Sequence, residues 1–84
     1  MLYRIFTEDL NQSEIEKIVT AFYPGFTIYK AEGFWRAQKE NSLIIEIVTE
    51  SDDAKISDIA RQIKAANRQQ AVLVQRIENN QWLV

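Results

Sequence analysis

Residues 31–50 read AEGFWRAQKENSLIIEIVTE and contain the signals of a β-hairpin. Two adjacent aromatic residues follow a glycine, the polar residues KENS come next, and an apolar run interrupted only by Glu46 follows. Aromatic and β-branched residues favour strands, and clustered polar residues favour the turn between them. The stretch therefore predicts strands at residues 26–38 and 43–50, joined by a turn at residues 39–42.

The chain before this hairpin predicts a first helix. Residues 13–25 place apolar side chains at i, i+3, i+4 and i+7, which is one face of a helix. Ser13 and Glu16 have the spacing of a capping box, in which each side chain satisfies a free backbone amide of the first turn. Pro24 and Gly25 end the pattern. The apolar positions are Ile15, Ile18, Val19 and Phe22.

The chain after the hairpin predicts a second helix at residues 51–70, with the same apolar spacing. Ser51, Asp52 or Asp53 can cap its first turn, where a negative charge also suits the helix dipole. Helix capping explains these acidic residues better than a calcium loop, which needs a glycine and a terminal glutamate that are missing here. The apolar positions are Ile56, Ile59, Ala60 and Ile63.

Two further strands, at residues 2–7 and 71–77, complete the order β-α-β-β-α-β. Right-handed crossovers and a central hairpin favour one arrangement for this order. We therefore predict an α+β ferredoxin-like sandwich, in which a four-stranded antiparallel sheet carries both helices on one face. A chain of 84 residues is expected to form a single domain, residues 1–84.

The face of the sheet away from the helices is also apolar in sequence. Alternate residues of a strand point to opposite faces, and in the third strand both sets are apolar except for Glu46. An uncovered face of this kind would exceed the apolar patch that monomers usually expose. We expect other copies of the chain to cover it, with the last residues, NNQWLV, as the alternative cover. The opposed sets are Leu43, Ile45, Ile47 against Ile44, Glu46, Val48; Tyr3, Ile5 against Leu2, Phe6; and Val72, Val74 against Leu73, Ile77.

Composition excludes several classes of function. The net charge is −2, with ten basic and twelve acidic residues interspersed, so we expect no nucleic-acid partner. The chain lacks cysteine and histidine, so we expect no disulfide, no zinc or copper site and no bound cofactor. No stretch has the length of a membrane span or of a signal peptide's apolar region, so we expect a cytoplasmic protein without a membrane partner.

Glu46 is the most conspicuous charged residue, because it interrupts the most apolar strand. Charged groups are rarely buried without a partner, so we expect a cross-strand or intersubunit ion pair. The alternative is a polar contact in a ligand pocket, with Tyr3 or Tyr29 nearby. Arginines on predicted strands that could reach Glu46 are Arg4, Arg36 and Arg76.

The candidate ligand-binding residues are Tyr29, Trp35, Arg36, Lys39 and Glu46. Packing alone also explains the aromatic members, since aromatic residues dominate buried cores and interfaces. No grouping of serine, cysteine or histidine supports nucleophilic catalysis, so we assign no catalytic residue and favour binding over catalysis.

The order of elements resembles that of the P-II-like superfamily, which includes the divalent-cation-tolerance proteins. The similarity lies in the aromatic–tryptophan–basic stretch Phe34, Trp35 and Arg36, the apolar strand after it, and the helix and valine-rich strand that follow. The resemblance implies a trimer with its sheets turned inward and effector clefts between subunits. The family's nucleotide-binding loop and its metal-binding cysteine or histidine are absent here, so those ligands are not implied.

Three functions stay open at this point. The first is a small oligomeric binding or regulatory module, a trimer before a dimer, with a small-molecule effector at a subunit boundary. The second is an enzyme of the dimeric α+β barrel type, with an internal pocket lined by Tyr3, Tyr29 or Trp35. The third is an adaptor that contacts another protein through the hairpin edge or the Trp82 tail.

Overall fold

The computed structural model describes residues 1–78 and 82–83 and forms one sheet with two helices. The element order is the predicted β-α-β-β-α-β. The ferredoxin-like α+β prediction is confirmed. The elements are β1 (Leu2–Glu8), α1 (Gln12–Thr20), β2 (Thr27–Trp35), β3 (Gln38–Val48), α2 (Asp53–Asn67) and β4 (Leu73–Ile77).

The sheet order is β2-β3-β1-β4, and every neighbouring pair is antiparallel. Ile5 in β1 lies opposite Ile45 of β3 on one side and Val74 of β4 on the other. Because opposed residues share a face, this register places the predicted apolar sets on single faces of the sheet.

The face that packs against the helices, the covered face, forms the core. Along β1 and the inner part of β3, buried residues alternate with partly buried ones, and the buried set, which lies on this face, is almost fully removed from solvent. The predicted helix stripes supply the other side, with Ile18 and Phe22 partly buried at its margin. Core residues are Tyr3, Ile5, Leu43, Ile45 and Ile47 from the sheet and Ile15, Val19, Ile56, Ile59 and Ile63 from the helices.

The hairpin turn lies at Arg36 and Ala37, so the prediction of a turn at residues 39–42 is wrong. Trp35 pairs with Gln38, and both turn residues have positive φ, 49° and 62°. A two-residue turn with positive φ at both positions matches the twist of antiparallel strands, at a steric cost for non-glycine residues. The residues KENS are therefore strand, and the hairpin is longer than its polar cluster suggested.

The long hairpin leaves a two-stranded extension, the hairpin arm (residues 32–41). Pairing between β1 and β3 ends at Ser42, while β2 and β3 stay paired out to the turn. Gly33 on this arm lies in regular register opposite Glu40, without a bulge. Phe34 on this arm is 71% exposed.

The first helix begins differently from the prediction, because Ser13 and Glu16 do not form a capping box. The N-cap residue is Asn11, whose backbone has the left-handed helical conformation and whose side chain makes no capping hydrogen bond. The Asn11 amide instead donates to the Asn67 side-chain oxygen at 3.2 Å, which joins the start of α1 to the end of α2. This hydrogen bond joins residues 56 positions apart and forms in place of the predicted local capping bonds.

The second helix is capped as predicted. The Asp52 carboxylate accepts a hydrogen bond from the Lys55 backbone N–H at 3.0 Å. The last strand begins at Leu73 rather than residue 71. The tail prediction concerns NNQWLV, of which residues 79–81 and 84 lie outside the described residues. Trp82 and Leu83 are 80% and 101% exposed, so these two residues do not cover the sheet.

Candidate functional site

The face of the sheet away from the helices, the open face, is organised in rows that run across the strands. The register sets one polar row between two apolar rows. The polar row is Thr27, Glu46, Arg4 and Gln75, and the apolar rows are Tyr29, Ile44, Phe6, Leu73 and Val48, Leu2, Ile77. Val48 and Leu73 remain 54% and 57% exposed. The open face therefore presents large apolar groups around a polar centre.

The polar row contains an ion pair between Arg4 and Glu46. Arg4 Nε donates to Glu46 Oε2 at 2.7 Å, and the side chains are only 36% and 25% exposed. The hydrogen bond to Glu46 raises the pKa of the Arg4 guanidinium, and Tyr29 adds a smaller effect in the same direction. The predicted ion pair of Glu46 is confirmed as a cross-strand pair, with Arg4 as the partner.

A hollow of about 440 Å³ opens over this ion pair. Arg4 and Glu46 contribute the charged groups, while Leu2, Val48 and Phe26 supply apolar surface. Gly25 lies at its border, and a Cβ added there would meet nothing within 4 Å. The hollow thus combines two opposite charges with apolar walls and open space beside a glycine.

The candidate ligand-binding residues fall into separate groups within one chain. Tyr29 and Glu46 lie on the open face, whereas Arg36 lies in the hairpin turn. Lys39 lies on the opposite face of the arm, where its ammonium pairs with Glu32 at 3.0 Å. Seven residues of strand separate Lys39 from Glu46, which is about 23 Å. The side chain of Trp35 lies outside the described part of the chain.

The sequence reasoning missed a second polar cluster, at the start of α2 on the covered face. The Tyr3 hydroxyl donates to Asp53 Oδ1 at 2.6 Å and accepts from the Asp52 backbone N–H at 3.0 Å. Arg76 donates to Asp53 Oδ2 at 2.8 Å, so this arginine serves Asp53 rather than Glu46. The Tyr3 bond, and then Arg76, lower the pKa of Asp53. The cluster fastens the helix to the sheet, and only tertiary structure brings its members together.

A third polar cluster lies at the other end of α2. Asn67 donates to Thr7 Oγ1 at 3.2 Å and to Gln69 Oε1 at 2.9 Å, and Thr7 also donates to Gln69. Thr7 and Asn67 are both buried. Each side chain has a partner inside the cluster, so its role is to hold α2 and β1 together.

The described residues contain no group of three or more acidic, cysteine or histidine side chains placed to hold a metal ion. Neither α1 nor α2 has the length and apolar character needed to cross a bilayer.

The fold defines a small α+β protein, and comparisons with known proteins agree at that level. No protein-family model matches the chain, and the curated proteins gave no match. A phage SAM lyase in its apo state is similar in structure, with a TM-score of 0.66 and 17% identity over 87% of this chain and 75% of that one. A DUF3240 family protein from Shewanella baltica OS155 has a TM-score of 0.64 and 15% identity over 99% of this chain and 94% of its own.

At these identities the likeness shows a shared fold. Both neighbours fit the ferredoxin-like layout that the order of elements predicted. Membership of the P-II-like superfamily stays a prediction.

Proposed function

We propose that this protein is a small self-assembling binding module whose copies pack through their open faces. The observation that carries this proposal is the row pattern, in which exposed apolar side chains flank a satisfied ion pair. Contiguous apolar side chains exposed on a surface are typical of sites where proteins associate. A trimer is the first assembly, as the resemblance implies, and a dimer is the second.

The ion pair supports self-association rather than opposing it. Arg4 and Glu46 are already bonded to each other, so covering them does not bury a charge without a partner. In the two-fold dimer, the second assembly, Arg4 of one copy can also approach Glu46 of the other, because a two-fold interface brings the same patch of both copies together. In that assembly the open face is complementary to its own charge pattern.

Binding of a small effector at the subunit boundary is the second part of the proposal. The hollow over the ion pair lies within the open face, so packing of copies would turn it into an enclosed cleft. Arg36 and Lys39 of the same chain do not line this hollow, whose charged groups are Arg4 and Glu46. The barrel enzyme is less well supported, because Tyr3 is 1% exposed with its hydroxyl bonded.

The test is the molar mass of the protein in solution, measured by light scattering across a concentration series. Ile44→Lys places a charge in an apolar row of the open face and should reduce the mass to that of one chain. Gln62→Lys adds the same charge at an exposed position of α2 and should leave the assembly intact. A wild-type protein that remains a monomer at high concentration would overturn the proposal.

An adaptor function is the second candidate, and exposed Phe34 on the hairpin arm favours it. A photo-crosslinking residue at position 34 should then join a single protein partner in the native host. The same residue at position 62 serves as the control. Labelling that is equal at the two positions would remove this candidate.

A further inference from the structure

We propose that the hollow over Arg4 and Glu46 binds a free α-amino acid with an apolar side chain, its carboxylate on Arg4 and its ammonium on Glu46. This inference rests on the proposed function, because a second copy packed on the open face would close the hollow around the ligand. The juxtaposition that carries it is a bonded pair of opposite charges beside apolar walls.

The charge of the site selects a zwitterion. Arg4 and Glu46 together carry no net charge, so a ligand with a single charge would bring an uncompensated charge into the closed cleft. A ligand with one positive and one negative group adds no net charge and gives each protein group an opposite partner. An α-amino acid carries both groups on one carbon atom, so they lie close together, as do Arg4 Nε and Glu46 Oε2 at 2.7 Å.

Both side chains can accept a further partner. A guanidinium has five N–H donors in a planar fork, and the bond to Glu46 uses the one at Nε. A carboxylate has about four acceptor sites on two oxygens, and the same bond occupies one of them at Oε2. Arg4 can therefore hold a ligand carboxylate while Glu46 accepts from a ligand ammonium, with the protein's own ion pair kept.

The walls select the side chain. Leu2, Val48 and Phe26 surround the charged pair with aliphatic and aromatic surface, which favours an apolar group over a polar one. The volume of about 440 Å³ lies in the range of pockets that hold small molecules. Gly25 lines the hollow without a side chain, and a Cβ added there would meet no atom within 4 Å.

The experiment is isothermal titration of the full chain with L-leucine, L-methionine and L-phenylalanine. The analogues N-acetyl-L-leucine and L-leucinamide each carry only one of the two charges. We expect at least one amino acid to bind. Each analogue of leucine should bind at least about tenfold more weakly than leucine, because each lacks one charge-assisted contact. No binding by any of the three amino acids, or equal binding of the analogues, would overturn the proposal.

A variant at Gly25 tests the location. Gly25→Leu should fill the hollow and abolish binding without strain, since Gly25 does not have positive φ. Ala66→Leu adds the same bulk to the exposed surface of α2 and should bind as the wild type does. Unchanged binding by Gly25→Leu would show that the ligand lies elsewhere and would overturn this site.

Light scattering on the same samples separates this inference from the proposed function. Assembly with no amino-acid binding overturns the ligand site and leaves the binding interface between copies in place. Binding by a chain that stays solitary overturns closure by a second copy, and with it the site as proposed. Assembly together with zwitterion-selective binding supports both.

Discussion

The two faces of the sheet come from the same strands, yet they differ in how they treat polar groups. On the covered face, Ile5 and Ile45 are wholly removed from water, and the buried polar side chains Thr7 and Asn67 bond to each other near the end of α2. On the open face, a charged pair lies in the middle and apolar rows lie outside it. The covered face is a packed core, whereas the open face leaves the apolar side chains of Val48 and Leu73 more than half exposed.

The polar side chains of the two faces also connect different parts of the chain. The clusters around Asp53 and Asn67 join elements that lie far apart in the chain and leave their members bonded to one another. The pair of Arg4 and Glu46 joins only neighbouring strands, which are already held by backbone bonds. We therefore expect the pair to add little to the stability of one chain, because both side chains are partly exposed to water.

The largest expected effect compares neighbouring isoleucines of β3. Ile45→Ala on the covered face should lower the free energy of unfolding by about 2–5 kcal/mol, because it leaves a cavity in a packed core. Ile44→Ala on the open face should cost about 1 kcal/mol in dilute protein, since Ile44 is only partly buried there. Urea unfolding at low protein concentration measures both, and equal losses would show that the faces do not differ.

The next effect concerns the buried polar cluster. Asn67→Ala should cost about 1–3 kcal/mol, because it removes an amide that donates to Thr7 and Gln69 and accepts from Asn11. Asn41→Ala, at an exposed position of the arm, is the matched control and should change little. Thermal unfolding of the two variants makes the comparison, and a loss at Asn41 as large as at Asn67 contradicts it.

A smaller effect is expected from the ion pair of the open face. A double-mutant cycle with Arg4→Gln and Glu46→Gln should give a weak coupling in dilute protein, because both side chains are partly exposed to water. The coupling should rise with protein concentration, since copies that cover the pair remove that water. The pair of Lys39 and Glu32 on the arm is the control, and coupling there should not depend on concentration.

The smallest effect is a pH dependence from Asp53. Its pKa is lowered in the folded protein from the ordinary 3.8, so its stabilising contribution is present above that value and is lost as pH falls through the lowered pKa. Tyr3→Phe removes the hydroxyl that is the main cause and should flatten this acid limb of the stability curve. Denaturant unfolding between about pH 5 and pH 2 measures it, and an unchanged slope in Tyr3→Phe counts against the assignment.

Individual elements show which structural features could be predicted from the sequence. The helix stripes, the Asp52 cap and the alternation in β3 were all predictable, because each depends on residues close together in the chain. The turn at Arg36 and Ala37 was not, since neither residue type signals positive φ. The predicted capping box at Ser13 was wrong for a related reason. The hydrogen bond that forms at this helix start joins Asn11 to Asn67, which is distant in sequence.

The candidate site divides in the same way. Glu46 was predictable as a charge in an apolar strand that needs a partner. The choice of Arg4 over Arg36 and Arg76 was not, because it depends on the register between β1 and β3. The hollow beside Gly25 was also out of reach, since it forms only where a loop meets the sheet.

The sequence by itself determined the order of the elements, the apolar stripes of the helices and the two apolar faces of the sheet. Periodicity alone carries that information, because it follows from the repeat of each local structure. The tertiary structure decided the strand register, the turn and the partners of each charge. Those depend on which distant residues meet, and a side chain bonds to whichever partner the register places within about 3 Å.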